Sequence, residues 1–300
     1  MTKIGFIGLG IMGVPMVRNL VRAHMDVTII DNGHGNHAAI AELKDQGVKV
    51  MATARETAAN QDVVITMLPN GSVVEQVLTG PDGVLADISP GTILIDSSSV
   101  SPAESQHFAA LAKAKGCSFL DAPVSGGEPG AIAGTLAFMI GGNEDVARQA
   151  DPVFQAMGST AVVTGPNGAG SVTKLCNQII CFINIAAVSE ALVLGQKAGA
   201  DPKKVYEAVR SGLAGSAILE QKAPRIYARD FAPGGFLENQ MKDINNAMET
   251  AKNLDVSLPL AGLVQQMTAS LMQAGHGRED NACFVKFYEA ISGVEVKTSL

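Results

Sequence analysis

Ile4-Gly5-Phe6-Ile7-Gly8-Leu9-Gly10-Ile11-Met12-Gly13 joins a short apolar run to three glycines spaced GxGxxG. The run from Ile4 to Gly8 reads as a strand, and Met12 to Ala23 carries helical spacing. Each glycine then has a mechanical reason: Gly8 permits a tight turn, Gly10 lets backbone approach a pyrophosphate, and Gly13 lets the helix pack on the strand. Leu9, Ile11 and Met12 complete the turn, and the helix start offers unpaired N–H groups and positive dipole to phosphates. A second apolar run, Val27 to Asp31, ends in an acid 18 residues after Gly13. Taken alone, GxGxxG is a plain tight turn and an acid a common strand terminator. In this order they predict a dinucleotide site.

Asp31 selects between dinucleotides, since a carboxylate accepts from ribose hydroxyls and repels a 2′-phosphate. The following Asn32-Gly33-His34-Gly35 holds no arginine to receive that phosphate, so NAD is expected over NADP. His34 reads as a solvated loop histidine.

Outward from this motif, residues 1–165 continue to alternate strand and helix. Further strands are expected at 63–67, 93–97, 119–124 and 137–141, and helices at 38–46, 72–78 and 102–115. The strands are nearly continuous apolar runs, as in sheets covered on both faces. Strand–helix alternation predicts an α/β, Rossmann-type doubly wound parallel sheet. Past Gly165 the alternation stops. Val172, Leu175, Ile179, Ile183, Ala186 and Leu194 recur at helical steps, predicting one helix of 25 residues or more. Asp201-Pro202 opens another, and helices are expected near 239–253, 260–273 and 281–292. The chain thus divides into an NAD-binding Rossmann-like domain, 1–165, and an all-α substrate and oligomerisation domain, 166–300, linked by a long helix.

Composition narrows the function. Glycine occupies 32 of 300 positions, about half as many again as the roughly 7% background, which suits a chain rich in tight turns. A net charge of −7, 4% aromatics and no Trp argue against a nucleic-acid surface. Cys117, Cys176, Cys181 and Cys283 form no CxxC pair, which suits free thiols in a reducing compartment. No signal or transit peptide is evident and no uninterrupted 18-residue apolar run occurs, so a cytoplasmic location is expected. The histidines are scattered, and no metal site is expected.

Three stretches carry candidate chemistry. Met67-Leu68-Pro69-Asn70 and Ser97-Ser98-Ser99 follow strands at the edge where doubly wound sheets bind ligands, and can line a nicotinamide pocket. Read blandly, they are a Pro turn and a capped helix start. Asp121-Ala122-Pro123-Val124-Ser125-Gly126-Gly127 runs a strand into a glycine pair whose N–H groups, with the Ser125 hydroxyl, can cradle a carboxylate. Taken alone, Ser-Gly-Gly is a flexible loop. Lys174 and Asn177 stand three apart at the start of the long helix and can address one spot. A partly desolvated lysine beside a nicotinamide can donate a proton. Most helix lysines face solvent, but this helix is strongly apolar. Lys242-Asp243 offers a second cation, or only a surface ion pair. Cys176, with no base beside it, is expected to be a buried spectator.

These stretches together resemble the β-hydroxyacid dehydrogenase family over essentially the whole chain. GFIGLGIMGVPM at 5–16 matches its cofactor signature and DAPVSGG at 121–127 its substrate signature. Gly168 to Asn177 matches its catalytic signature GxGxxxKxxN, and Lys242-Asp243 its Lys-Asp pair. The resemblance implies Lys174 as general acid/base, Asn177 as a substrate-orienting partner, and Ser125, Gly126 and Gly127 as carboxylate binders. It further implies Ser99 and Lys242 at the nicotinamide, and a homodimer or homotetramer built through the helical domain.

Within the family, SGGEPGAIAGTL at 125–136 and GLAGSAILEQKAP at 212–224 are similar to the tartronate semialdehyde reductase branch. That implies NADH-dependent, reversible reduction of a small carboxylate semialdehyde. A 3-hydroxyisobutyrate or 4-hydroxybutyrate dehydrogenase is the near alternative. A non-catalytic dinucleotide-binding protein is the distant one, though it has no reason to keep Lys174 and Asn177 in register with Ser125.

Overall fold

The computed structural model describes every residue except Asn32, His34, Gly35, Ser299 and Leu300. The chain forms two compact units, Met1–Lys174 and Leu175–Leu300.

The first unit is built on nine strands: β1 Lys3–Ile7, β2 Asp26–Ile30, β3 Lys49–Met51, β4 Val63–Thr66, β5 Ile93–Asp96, β6 Ser118–Asp121, β7 Val124–Ser125, β8 Leu136–Gly141 and β9 Gly158–Gly165. Eight helices intervene: α1 Gly13–Arg22, α2 His37–Asp45, α3 Ala54–Ala58, α4 Gly71–Thr79, α5 Pro102–Ala114, α6 Gly127–Ala133, α7 Glu144–Gln149 and α8 Asp151–Met157. Strands β3-β2-β1-β4-β5-β6 lie in that order and are all parallel, the Rossmann arrangement with its order reversal between β1 and β4.

Side-chain alternation explains why the strands read as unbroken apolar runs. Phe6, Ile29 and Ile65 enter one core with Met16, Leu20 and Leu43 from α1 and α2. Their neighbours Ile7, Ile30 and Val64 enter a second core with Val74 and Phe108 from α4 and α5. Both faces of the sheet are covered, so both parities must be apolar.

The sheet is not parallel throughout. β8 runs antiparallel to β6 and to β7, and β9 pairs parallel with β8. The connection from Gly126 to Thr135 is shorter than the dozen or so residues a parallel crossover needs. The segment expected as one strand, 119–124, is two: Pro123 lacks an N–H and interrupts the ladder, so β6 pairs with β5 and β7 with β8.

α9, Ala169–Lys197, begins in the first unit and continues into the second. The second unit also contains α10 Pro202–Val209, α11 Ala217–Tyr227, α12 Leu237–Asn253, α13 Pro259–Gln273 and α14 Val285–Ser292, the last preceded by a 3₁₀ turn at Asn281–Phe284. Its core holds Phe182, Ile185 and Leu192 from α9 with Ile226, Ile244, Val264 and Phe284. By length and composition α9 could cross a membrane. Asn177, Gln178 and Glu190 interrupt it, however, and its apolar face is part of this core, so it reads as a core helix. The compact units divide inside α9, at 174/175, a few residues beyond the expected 165/166 join. The first turn of α9 is the reason: it is hydrogen-bonded to β6 through the Asp121 carboxylate.

Candidate active site

The glycine turn follows β1. Gly8 has φ +113°, where L side chains are rare, and a Cβ there would strike the Met67 carbonyl. A Cβ at Gly13 would strike the Gly8 carbonyl. Gly10 differs: a Cβ there would meet nothing within 4 Å. The chain itself therefore requires glycine at 8 and 13, whereas at 10 it leaves open space that a side chain could fill. Leu9 is buried, Ile11 is exposed, and no side chain caps the start of α1 at Met12. This turn fits a dinucleotide pyrophosphate. Asp31 stands just beyond β2, where its carboxylate accepts from the Gly33 N–H at 3.2 Å and lies 3.8 Å from His37 Nδ1. His34, with Asn32 and Gly35, lies outside the described residues.

The loops after β4 and β5 are joined. The Leu68 N–H donates to Ser98 Oγ at 2.9 Å. Asp96 Oδ1 accepts from Thr66 Oγ1 at 2.8 Å and from the Ser98 N–H at 3.1 Å. Met67 and Leu68 are half-buried, Pro69 exposed and Ser99 half-buried. Asn70 caps α4 through the Val73 N–H, as the bland reading had it. Burial pushes Asp96 up to about 6; bonds from Ser98 and Thr66 oppose this, and the Asp121 charge adds to it. Its Oδ2, like Ser97 Oγ, finds no partner among the described residues.

The Ser125 turn follows β7. Gly126 has φ +129° and Gly127 φ +61°, so two consecutive residues adopt backbone that only glycine adopts freely. The turn leads straight into α6 and is no loose loop. Lys174 Nζ donates to the Val124 carbonyl at 2.8 Å, the residue immediately before Ser125. The lysine is half-buried. A lysine from the long helix and the glycine-pair turn, some 50 residues apart in sequence, thus meet in one unit.

In the second unit Asn177 Nδ2 donates to Gln178 Oε1 at 2.8 Å, and Gln178 Nε2 donates to Asp243 Oδ2 at 2.5 Å. Asp243 is 6% exposed, and Lys242 Nζ lies 3.5 Å from its Oδ1. Asn177 and Lys242, singled out separately, are thereby joined through Gln178 and Asp243. The Lys242–Asp243 pair is no plain surface ion pair, because the acid is buried and shared with α9. Cys176 departs from expectation: it is exposed. The turn of the helix that buries Leu175 carries the next residue away from the core. All four cysteines are free, and no metal-holding cluster occurs among the described residues.

Sequence reasoning gave no role to Asp96, Asp121 or Gln178. The first two carried a signal, since each is an acid ending a buried strand, ILID and SFLD. Gln178 carried none, because its partner lies 65 residues away on another helix. Asp121 is 1% exposed and burial raises its pKa, against bonds from the Gly168 and Ser171 N–H groups and the Asn167 side chain.

Comparison with known proteins agrees with this geometry. Residues 3–165 match the family model for the NAD-binding domain of 6-phosphogluconate dehydrogenase. Residues 168–288 match the one for the NAD-binding domain of NADP-dependent 3-hydroxyisobutyrate dehydrogenase. The chain is 39% identical to 2-(hydroxymethyl)glutarate dehydrogenase of Eubacterium barkeri, over 98% of this chain and 97% of that one. It is also 39% identical to 2-hydroxy-3-oxopropionate reductase of Escherichia coli K12, over 97% and 98%. Among solved structures, 3-hydroxyisobutyrate dehydrogenase of Salmonella typhimurium superposes with a TM-score of 0.87 at 33% identity, covering 95% of this chain and 99% of that one. With both family models in chain order and relatives matched end to end, the chain belongs to the β-hydroxyacid dehydrogenase family of NAD(P)-dependent oxidoreductases.

Proposed function

We propose that the protein catalyses the reversible, NADH-dependent reduction of tartronate semialdehyde (2-hydroxy-3-oxopropanoate) to D-glycerate, with Lys174 as general acid in reduction and general base in oxidation. The observation that carries this reading is the 2.8 Å bond from Lys174 Nζ to the Val124 carbonyl, at the entrance to the Ser125-Gly126-Gly127 turn. The bound dinucleotide supplies the hydride. The chain's own residues supply the rest: Ser125, Gly126 and Gly127 hold the substrate carboxylate, and Lys174 gives a proton to the oxygen of the carbonyl as it becomes an alkoxide. A carboxylate held there sets the distance to the reacting carbon, favouring 3-hydroxy over 2-hydroxy acids. Asn177 orients the substrate. Met67, Leu68, Pro69, Ser99 and Lys242 contact the cofactor on its nicotinamide side, and Asp31 gives NADH its preference by accepting from the ribose hydroxyls.

Two stretches favour the semialdehyde named, SGGEPGAIAGTL and GLAGSAILEQKAP. The relatives divide evenly, since a hydroxymethylglutarate enzyme is as similar as a 2-hydroxy-3-oxopropionate reductase. Of the alternatives, a 3-hydroxyisobutyrate or a 4-hydroxybutyrate dehydrogenase, the first draws support from the Salmonella structure. Four free cysteines support a reducing, cytoplasmic setting, and exposed Leu254, Val256, Leu260 and Leu263 in the helical unit support a homo-oligomer.

NADH oxidation is followed with tartronate, methylmalonate and succinate semialdehydes in turn. The reading expects the highest kcat/KM with the first. A higher value with either of the others replaces the substrate, and tight NADH binding with no turnover on any substrate replaces the enzyme with a binding protein.

A further inference from the structure

We propose that Asp121 is the positioning residue for Lys174: its carboxylate fixes the first turn of α9 to the end of β6, from which the chain runs through Ala122 and Pro123 into β7 and the Ser125 turn. The inference rests on the reading of Lys174 as proton donor.

The geometry closes a ring. Asp121 Oδ1 accepts from the Gly168 N–H at 2.8 Å, and Oδ2 accepts from the Ser171 N–H at 3.0 Å. These are donors at a helix start, which have no acceptor within the helix. Three residues after Asp121 stands Val124, whose carbonyl receives Lys174 Nζ at 2.8 Å; three residues after Ser171 stands Lys174 itself. One side of the ring is therefore Asp121 to Val124, the other is Ser171 to Lys174, and hydrogen bonds join both ends.

The surrounding contacts leave this ring little freedom. Gly168 has φ +94°. A Cβ on Gly170 would strike the carbonyls of Asp121 and Met139, and one on Gly141 would sit 2.6 Å from both Asp121 oxygens. Helix and strand meet here backbone to backbone. Asn167 Nδ2 donates to the Phe119 carbonyl at 2.8 Å, and Ser171 Oγ pairs with Ser105 Oγ at 2.8 Å. A helix needing only a cap finds one in the residue preceding it. This helix takes its cap from the end of β6, three residues before β7 and the turn that follows it, so cap and turn move together.

Asp121→Asn keeps the volume but offers one acceptor oxygen to two donors, so one tie is lost. The test is a double-mutant cycle of Asp121→Asn with Lys174→Ala. Each full-length protein is assayed with NADH and the best semialdehyde of the panel, and turnover is expressed per NADH-binding site. Counting sites by NADH titration removes unfolded protein from the comparison. Asp121→Asn is expected to lower kcat about 10- to 100-fold, the cost of misplacing a reacting group by about 1 Å. NADH affinity should hold within about twofold, which at 1.4 kcal/mol per tenfold is about 0.4 kcal/mol. In the Lys174→Ala background the same substitution should change nothing further. Wild-type kcat in Asp121→Asn overturns the inference, as does an equal loss in both backgrounds. Should Lys174→Ala itself keep wild-type turnover, the parent reading of Lys174 is what fails.

Discussion

On the proposed function, a single carboxylate, Asp31, sets cofactor choice. Asp31 sits just beyond the second strand, where its carboxylate accepts from the Gly33 N–H and lies 3.8 Å from His37 Nδ1. A 2′-phosphate placed beside it meets like charge. Asp31→Asn keeps the hydrogen-bonding shape and removes the charge. The ratio of kcat/KM with NADPH to that with NADH is expected to rise about tenfold or more, the factor that 1.4 kcal/mol of relieved repulsion gives. An unchanged ratio would show that some other residue receives the ribose. The glycines of the turn divide by cause: the fold forces positions 8 and 13, while position 10 faces open space.

Elements of the sheet decide which acids become buried. Thr66, Asp96 and Asp121 end β4, β5 and β6 in register, one beside the next. Asp96 is 1% exposed, and burial raises it from its ordinary 3.8 to about 6. A carboxyl raised on folding binds its proton more tightly in the native state. Its stabilising contribution is complete below about pH 4 and is lost as pH rises through about 6. At about 1.36 kcal/mol per pH unit of difference, the ionised acid costs roughly 3 kcal/mol at neutral pH. Asp96→Asn retains an acceptor for Thr66 and Ser98 and cannot ionise. Urea unfolding should therefore show the variant gaining on wild type between pH 4 and pH 7.5, by up to that amount. A stability difference that does not move with pH would contradict the assignment.

The same elements show what was legible in the sequence. Strands buried on both faces announce themselves as apolar runs, so β1, β2, β4, β5 and β8 were visible to within a residue, while β6 was run together with β7 across Pro123. β3 and β9 were not: the first has three residues, and alternate side chains of the second are exposed at the sheet edge. Helix α11 was hidden by Pro224 within it. Lys174 and the Ser125 turn were legible because their residue types are unusual in those settings. The ring through Asp121 was not, because an acid after SFL reads as a strand end until the partner N–H groups, 47 and 50 residues later, are placed against it.

For the molecule as a whole, the sheet unit holds the glycine turn, the loops after β4 and β5, the Ser125 turn and Lys174, while the helical unit holds Asn177 and Lys242 joined through Gln178 and Asp243. On the proposed function the cofactor would bring the redox chemistry, and the chain orientation, charge and one proton. The account stands on that proton's source. Single-turnover oxidation of bound NADH by tartronate semialdehyde, compared between wild type and Lys174→Ala, measures it most directly. A fall in rate of about 100- to 10,000-fold with NADH affinity retained is expected, the usual range for a lost general acid; a Lys174→Ala enzyme that turns over at the wild-type rate would contradict the account.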